Sequence, residues 1–206
     1  MKQLLIEACL AKSARSHIEI ERFLWPAKIV AGALQSFIVP IRPDWAMHLF
    51  DYNMASKTLF GADPRLALNV ENVYYRASRP YILSAPSRIL WYVSQDRKYT
   101  ESMHIRACSY ATEVVAAPPK EMFHRFKRLG IYGWDDIKRI VKGNLEKPVM
   151  GFTFSHSELF TRPISWKMLQ ETLHVKDGKQ SQIQSPVRIS EECFMELYRI
   201  GMGLKC

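Results

Sequence analysis

The stretch Leu68–Ser94, LNVENVYYRASRPYILSAPSRILWYVS, decides the fold. Within it Val70–Arg76 is dense in β-branched and aromatic residues, and Arg88–Ser94 carries them almost without interruption, which is the composition of strands rather than helices. The first reads as a strand with one polar face and the second as a strand buried on both faces. Pro80 and Pro86, with Ser84 and Ser87 beside them, make Ser78–Ser87 a loop instead of a tight hairpin turn.

Toward the N-terminus, Ser36–Ile41 reads as another strand, with Pro40 implying an edge position or the strand's end. Pro43 suits a first helical position and Asp44 the positive end of a helix dipole, so a helix with Trp45, Leu49 and Phe50 on its apolar face follows through Asp51. Residues 3–24 place apolar side chains at imperfect helical spacing, with Glu19 and Arg22 for an exposed face, and Trp25-Pro26 closes them. Ala27–Ala33 fits a short helix or a linker equally well.

Toward the C-terminus, Gln95–Ser102 is a polar loop and His104–Val115 a long strand. Pro118-Pro119 ends that strand and opens a helix over Lys120–Leu129, stopped by Gly130, and a second short helix spans Trp134–Lys142. A strand at Pro148–Ser155 and a helix at Ile164–Leu173 come next, then the polar connection Lys176–Ser185, then a terminal helix from the N-cap Ser190 to about Ile200. Interspersed strands and helices without regular βαβ units predict an α+β fold, a curled mixed β-sheet or barrel flanked by helices. The division expected is an N-terminal helical extension (1–35), a main domain (36–175), and a polar connection with the C-terminal helix (176–206).

At 206 residues the chain is long enough to bury about 70% of its unfolded surface without staples. Cys9, Cys108, Cys193 and Cys206 are far apart and form no CxxC pair, which argues against a zinc ribbon and against a disulfide framework, and fits four reduced thiols in the cytoplasm. No apolar run reaches the roughly 18 residues of a membrane span, and MKQLLIEACLAK, interrupted by Glu7, reads as a helix start rather than a signal peptide. Lys and Arg number 29 against 20 Asp and Glu, a formal charge of +9, beside five Trp and nine Tyr; this combination favours a polyanionic partner, with basicity for solubility as the plain alternative.

The succession FIVPIRPDWAMHLFD, ENVYYR, RILWYVS, a strand ending before a double proline, a helix followed by GIYGWDDI, and FTFSHSELF resembles the PUA-like superfamily and, within it, the ASCH-type domains, over roughly Ser36–Leu173. The resemblance implies a cleft beside the first helix, served by a strand carrying an acid and an arginine, here Glu71 and Arg76, with Lys57 as the lysine that precedes them. Lys57 follows Ala55-Ser56 instead of the usual glycine-x, and Leu59–Leu68 separates it from Glu71. Similar domains occur fused to bacterial acetyltransferase-like proteins, yet no acetyl-CoA phosphate loop occurs in the first 35 residues.

Lys57, Thr58, Glu71 and Arg76 compose a polar cleft that reads or attacks a nucleobase, or else a surface charge and a strand ion pair. Tyr74, Tyr75, Trp91 and Tyr92 offer stacking faces. Alternation along the strand puts Tyr74 with Arg76 as the outward pair. Ser94 and the Ser155-His156-Ser157-Glu158 run add polar groups at strand ends, with His156 the candidate ligand contact; the run has neither a G-x-S-x-G elbow nor an H-E-x-x-H helix. Between Lys120 and Lys142 seven basic residues face three acids, so Arg125, Lys127 and Arg128 are candidate phosphate contacts, with a solvated helix face as the plain alternative. The reading adopted is a nucleic-acid-binding protein, RNA favoured or a modified base read, with no cofactor, no metal and no membrane partner. A small hydrolase using Lys57, Thr58 and Glu71, and a regulatory module docking a protein partner through its terminal helices, are the alternatives.

Overall fold

The computed structural model describes residues 5–7, 14–30, 33–49, 71–99, 102–129 and 132–204. In chain order its elements are β1 (Leu5–Glu7), α1 (Ala14–Phe23), β2 (Lys28–Val30), β3 (Gln35–Ile41), α2 (Pro43–Leu49), β4 (Glu71–Ala77), β5 (Ser87–Val93), β6 (His104–Ala117), α3 (Pro119–Phe126), α4 (Trp134–Ile140), β7 (Val149–Ser165), α5 (Trp166–Asp177), β8 (Val187–Ile189) and α6 (Glu191–Met202).

The unbroken apolar run at Arg88–Ser94 becomes β5, and all seven of its residues are buried. It sits inside a six-stranded mixed sheet ordered β4-β7-β6-β5-β3-β8, beside the two-stranded sheet of β1 and β2. β3 runs parallel to β5, with Ile38 opposite Leu90 and Val39 opposite Trp91, while β5, β6, β7 and β4 pair antiparallel. Register shifts along β6 at Ile105/Ala107, Cys108/Tyr110 and Ala111/Glu113 are the extra residues that bend long strands. Among the described residues the sheet curls without closing into a barrel.

Helices cover both faces, and the period-two alternation of the strands sorts the core between them. Phe37, Val39, Ile89 and Trp91 join Met122, Phe126 and Ile137 on one side. Ile38, Leu90 and Ile105 join Leu169, Leu173, Phe194 and Leu197 on the other. The ten residues expected to form the core, Phe37, Ile38, Val39, Val73, Ile89, Leu90, Val93, Ile105, Val149 and Phe152, are all fully buried; each such aliphatic side chain stabilises the fold by about 1.5–3 kcal/mol.

Local chemistry sets the boundaries. β8 pairs β3 only over Ser36, Phe37 and Ile38, so Pro40, which has no N–H to donate, falls where that neighbour has ended. The Ser190 side chain accepts from Cys193 N at 3.1 Å, and Gly203 closes α6 at φ 68°, a left-handed cap that L side chains resist.

Four expectations change. The strand expected at Pro148–Ser155 continues to Ser165, so Ile164 belongs to β7, not to a helix; its partner β6 is equally long and keeps supplying hydrogen bonds. The helical reading of residues 3–24 holds over Ala14–Phe23 and fails at Leu5–Glu7, which pairs with Lys28–Val30 as parallel strands. The connection after α5 is tied down: Gln170 Nε2 donates to Ser181 O at 2.9 Å, and Ile183 is buried. Phe23, expected on an inner face, is 89% exposed. Cys108 and Cys193 are free and buried, while Cys9 and Cys206 lie outside the described residues.

Candidate functional site

β4 is an edge strand, yet both of its faces are covered. On one, Gly151 lies opposite Tyr75, and a Cβ there would collide with Met122 and the Tyr75 ring. The missing side chain lets α3 approach, and Tyr75 donates its hydroxyl to Met122 O at 3.2 Å. On the other face Tyr74 packs edge-on against Trp91, Tyr132 and Phe152 at 5.5, 6.2 and 5.6 Å between centroids. Its hydroxyl donates to Pro40 O at 3.3 Å, and burial pushes its pKa up to about 12 against the pull of Arg76 and Arg42. The outward Tyr74–Arg76 pair is therefore corrected: alternation puts them on one face, as expected, but α2 and Tyr132 cover that face and leave only Arg76 half-exposed.

Arg76 reaches into a hollow of about 310 Å³ lined by Arg42, Trp45, Tyr74, Tyr132, Asp136 and Arg139 among others. Trp45 and Tyr132 stack at 4.3 Å. Two of its three guanidiniums are matched: Arg42 meets Asp44 at 2.9 Å, and Arg139 meets Asp136 at 3.0 Å. Asp136 is itself fixed by accepting from Gly133 N at 2.9 Å. Arg76 donates only Nε to Ala77 O at 3.2 Å, and its buried Nη1 has no hydrogen-bond partner among the described residues. Burial lowers its pKa from the usual arginine value. A buried donor left unmade costs about 1–3 kcal/mol, more when charged, so this guanidinium has hydrogen-bonding capacity that the described residues do not fill.

The other sequence candidates lie elsewhere. Trp91 is fully buried between Phe152 and Phe154 and donates Nε1 to Ser109 Oγ at 2.8 Å; this corrects its stacking role, since no face of the ring is open. Ser94 is half-buried and donates its backbone N–H to Ile41 O at 2.8 Å. Glu71 faces Ser155 across the β4–β7 pair, five residues or roughly 17 Å along the strand from Arg76, so the acid and the arginine do not share a pocket. Glu71 accepts from Thr112 Oγ1 at 2.6 Å, and Thr112 contacts Thr153 Oγ1 at 2.6 Å. Beside them His156, at φ 53°, meets Ser155 Oγ at 3.0 Å through Nδ1. Burial, then Arg22 and Lys28, lower its pKa. Lys57 and Thr58 lie outside the described residues. In the basic segment Arg125 is paired with Glu113 and lies over the Phe126 ring, whereas Lys127 and Arg128 are exposed.

A second charged group was not expected. Arg88, fully buried in β5, binds Glu21 of α1 through Nε and Nη2, donates to Ile29 O at 2.7 Å, and contacts His17 Nε2 at 2.9 Å. Next to it Lys28 lies 3.5 Å from Glu158, over the rings of Tyr110 and Tyr198, and Tyr198 donates to Glu158 at 2.9 Å. A lone arginine in a run buried on both faces was the available signal, because a charge there must be paired. Among the described residues, no three His, Cys, Asp or Glu side chains converge as metal ligands, and no helix is long and apolar enough to cross a membrane.

No protein-family model matches the sequence, and no curated protein matches it. Solved structures do. The ASCH protein of Zymomonas mobilis is similar at 14% identity over 80% of this chain and 94% of that one, with a TM-score of 0.57. The N-terminal domain of McrB from Staphylothermus marinus is similar at 11% identity over 81% and 94%, with a TM-score of 0.50. Likeness at this identity concerns the path of the chain, and it joins the mixed sheet, the helix order and the position of β4 described above: the chain has the PUA-like fold of the ASCH-type domains.

Proposed function

We propose that the protein binds nucleic acid by taking a base into the Arg76 hollow. The observation that carries the reading is the Nη1 of Arg76, without a hydrogen-bond partner among the described residues, in a hollow that also holds the half-buried ring of Trp45. A flat heteroaromatic with acceptor atoms on its edge satisfies both features, stacking or edging against rings while accepting from a guanidinium. The formal charge of +9 supports a polyanion as the carrier of that base. RNA is the favoured form, because an unpaired base enters a recess without the cost of opening a duplex.

Fluorescence anisotropy with matched RNA and DNA single strands and duplexes, at two salt concentrations, tests this. Binding should be strongest for single-stranded RNA and should fall at least tenfold in Arg76→Met. Unchanged affinity in that variant, with its melting curve intact, overturns the reading.

One observation favours a second reading, a hydrolase. Thr112 donates to Glu71, and Thr153 is left to donate to Thr112, an arrangement that fixes the carboxylate of the acid that the resemblance pairs with Lys57. Product analysis after incubation with nucleosides and oligonucleotides, with Glu71→Gln as control, decides it; no product in the unaltered protein removes this reading.

A further inference from the structure

Beyond Ala77 and Ile140, which line both, the Arg76 hollow adjoins a second one of about 520 Å³. Its walls come from the ends of three elements: Arg79 just after β4, Lys142 just after α4, and Lys147 just before β7. The floor is apolar, made by Ala77, Ile140, Val141 and Pro148. Among the described residues no Asp or Glu lines it. Arg79, Lys142 and Lys147 are all exposed. Among the described residues none of them has a carboxylate partner, in contrast to Arg42 and Arg139 next door. An apolar floor rimmed by unmatched cations matches alternating sugar faces and phosphates, whereas a free base or nucleoside has nothing to offer it.

We propose that the second hollow is a backbone track, so that the ligand class is a polymer strand continuing at least one nucleotide beyond the base held at Arg76, not a free nucleoside or mononucleotide. This rests on the reading of the Arg76 hollow given above. Base recognition and strand recognition are then separate functions of two adjoining recesses: the first selects what enters, and the second requires that it be part of a chain. Both recesses lie where β4 meets α4, with Ala77 and Ile140 lining each of them.

The test compares binding of a nucleoside monophosphate and an eight-nucleotide single strand by the unaltered protein, by Arg76→Met, and by the triple variant Arg79→Gln, Lys142→Gln, Lys147→Gln. Glutamine removes the charge and keeps a polar side chain unbranched at Cβ, which also suits Lys142 at φ 54°. The unaltered protein should prefer the strand at least tenfold. The triple variant should lose most of that preference and flatten the log–log salt dependence by about 2, at about 0.7 per lost contact to a single strand, while its mononucleotide binding stays unchanged. A triple variant with unaltered strand affinity and slope, while Arg76→Met is impaired, overturns the track and leaves the base site standing. Equal affinity for mononucleotide and strand in the unaltered protein also overturns it. If Arg76→Met binds the strand as well as the unaltered protein does, the base site itself falls, and the track with it.

Discussion

Arg76 and Arg88 sit in strands of the same sheet and face opposite situations. Arg88, fully buried, is met by Glu21, by the Ile29 carbonyl and by Glu191 at 3.7 Å, and its guanidinium lies over Phe194 at 4.8 Å. Arg76, only half-buried, has one bond to the neighbouring carbonyl and no carboxylate partner among the described residues; a buried Nη1 without a hydrogen bond is common to both arginines, but that of Arg88 has the Glu191 carboxylate 3.7 Å away. A buried charge is tolerated when it is paired and hydrogen-bonded, so the first arrangement belongs to stability. The second lacks that compensation and has a hollow in front of it. The contrast separates a cation that the fold uses from one that it leaves available.

The strongest way to break the comparison is to remove the paired arginine. Arg88→Met leaves Glu21 buried without its main partner, which costs about 3–5 kcal/mol; chemical unfolding should show the loss, and a change below about 1 kcal/mol would mean that the cluster is not a clamp. Because a matched apolar pair often does as well as the ion pair it replaces, Glu21→Leu combined with Arg88→Met should recover much of that loss.

Acid titration is expected to have the next largest effect. Burial alone would raise the Glu21 carboxyl, but the hydrogen bond from His17 and the charge and hydrogen bonds of Arg88 outweigh it and hold the pKa at about 2. The folded value lies below the ordinary 4.5, so its contribution is complete above pH 4.5 and is lost as the pH falls toward 2. The full shift corresponds to about 3 kcal/mol. Glu158, whose pKa burial raises despite Lys28, acts in the opposite sense, adding stability as the pH falls to 4.5, before the loss from Glu21 sets in. Stability measured between pH 5 and 2.5 should therefore fall less steeply in Glu21→Gln than in the unaltered protein; equal slopes would remove Glu21 from the acid response.

Arg76→Met should do the reverse of Arg88→Met. Unfolding stability should stay within about 1 kcal/mol, since one bond to Ala77 is exchanged for relief of an unmet charge, while nucleic-acid affinity drops by about 1–3 kcal/mol. A variant that instead unfolds easily and binds normally would reverse the assignment of the two arginines.

How far the sequence carried this comparison depends on whether the deciding contact was local. The density of β-branched and aromatic residues from Arg88 to Ser94 located β5, and Pro43, Ser190 and Gly203 marked helix boundaries, because each acts within a turn of itself. Alternation along β4 placed Tyr74 and Arg76 on one face correctly. It could not say that α2 and Tyr132 would cover that face, since Tyr132 lies more than fifty residues away. The Glu21–Arg88 pair spans 67 residues, and nothing near Glu21 distinguishes it from the exposed Glu19. Trp45 and Arg42 were visible only as part of a helix start. They became candidates once Arg76 was found beside them. The short strands β1, β2 and β8 carry three residues each, too few for a period to register.

The smallest expected effect concerns the basic segment, which looked from composition like the main electrostatic surface. Three of its seven cations are matched: Arg125 by Glu113, Lys138 by Asp135 at 2.6 Å, and Arg139 by Asp136. A cation that already has a carboxylate releases fewer counterions from a nucleic acid, because its partner must first be given up. Lys127 and Arg128, exposed just after α3, have no such partner among the described residues. Replacing both by Gln should lower the salt slope by at most about 1.4, twice the single-strand increment, with a smaller loss of affinity than Arg76→Met and no change in preference among bases. Arg125→Gln should leave the slope nearly unaltered and instead free Glu113. If Arg125→Gln reduces the slope as much as the Lys127, Arg128 double variant, the ion pair with Glu113 opens on binding, and the division between cations committed to the fold and cations available to a ligand does not extend to the surface.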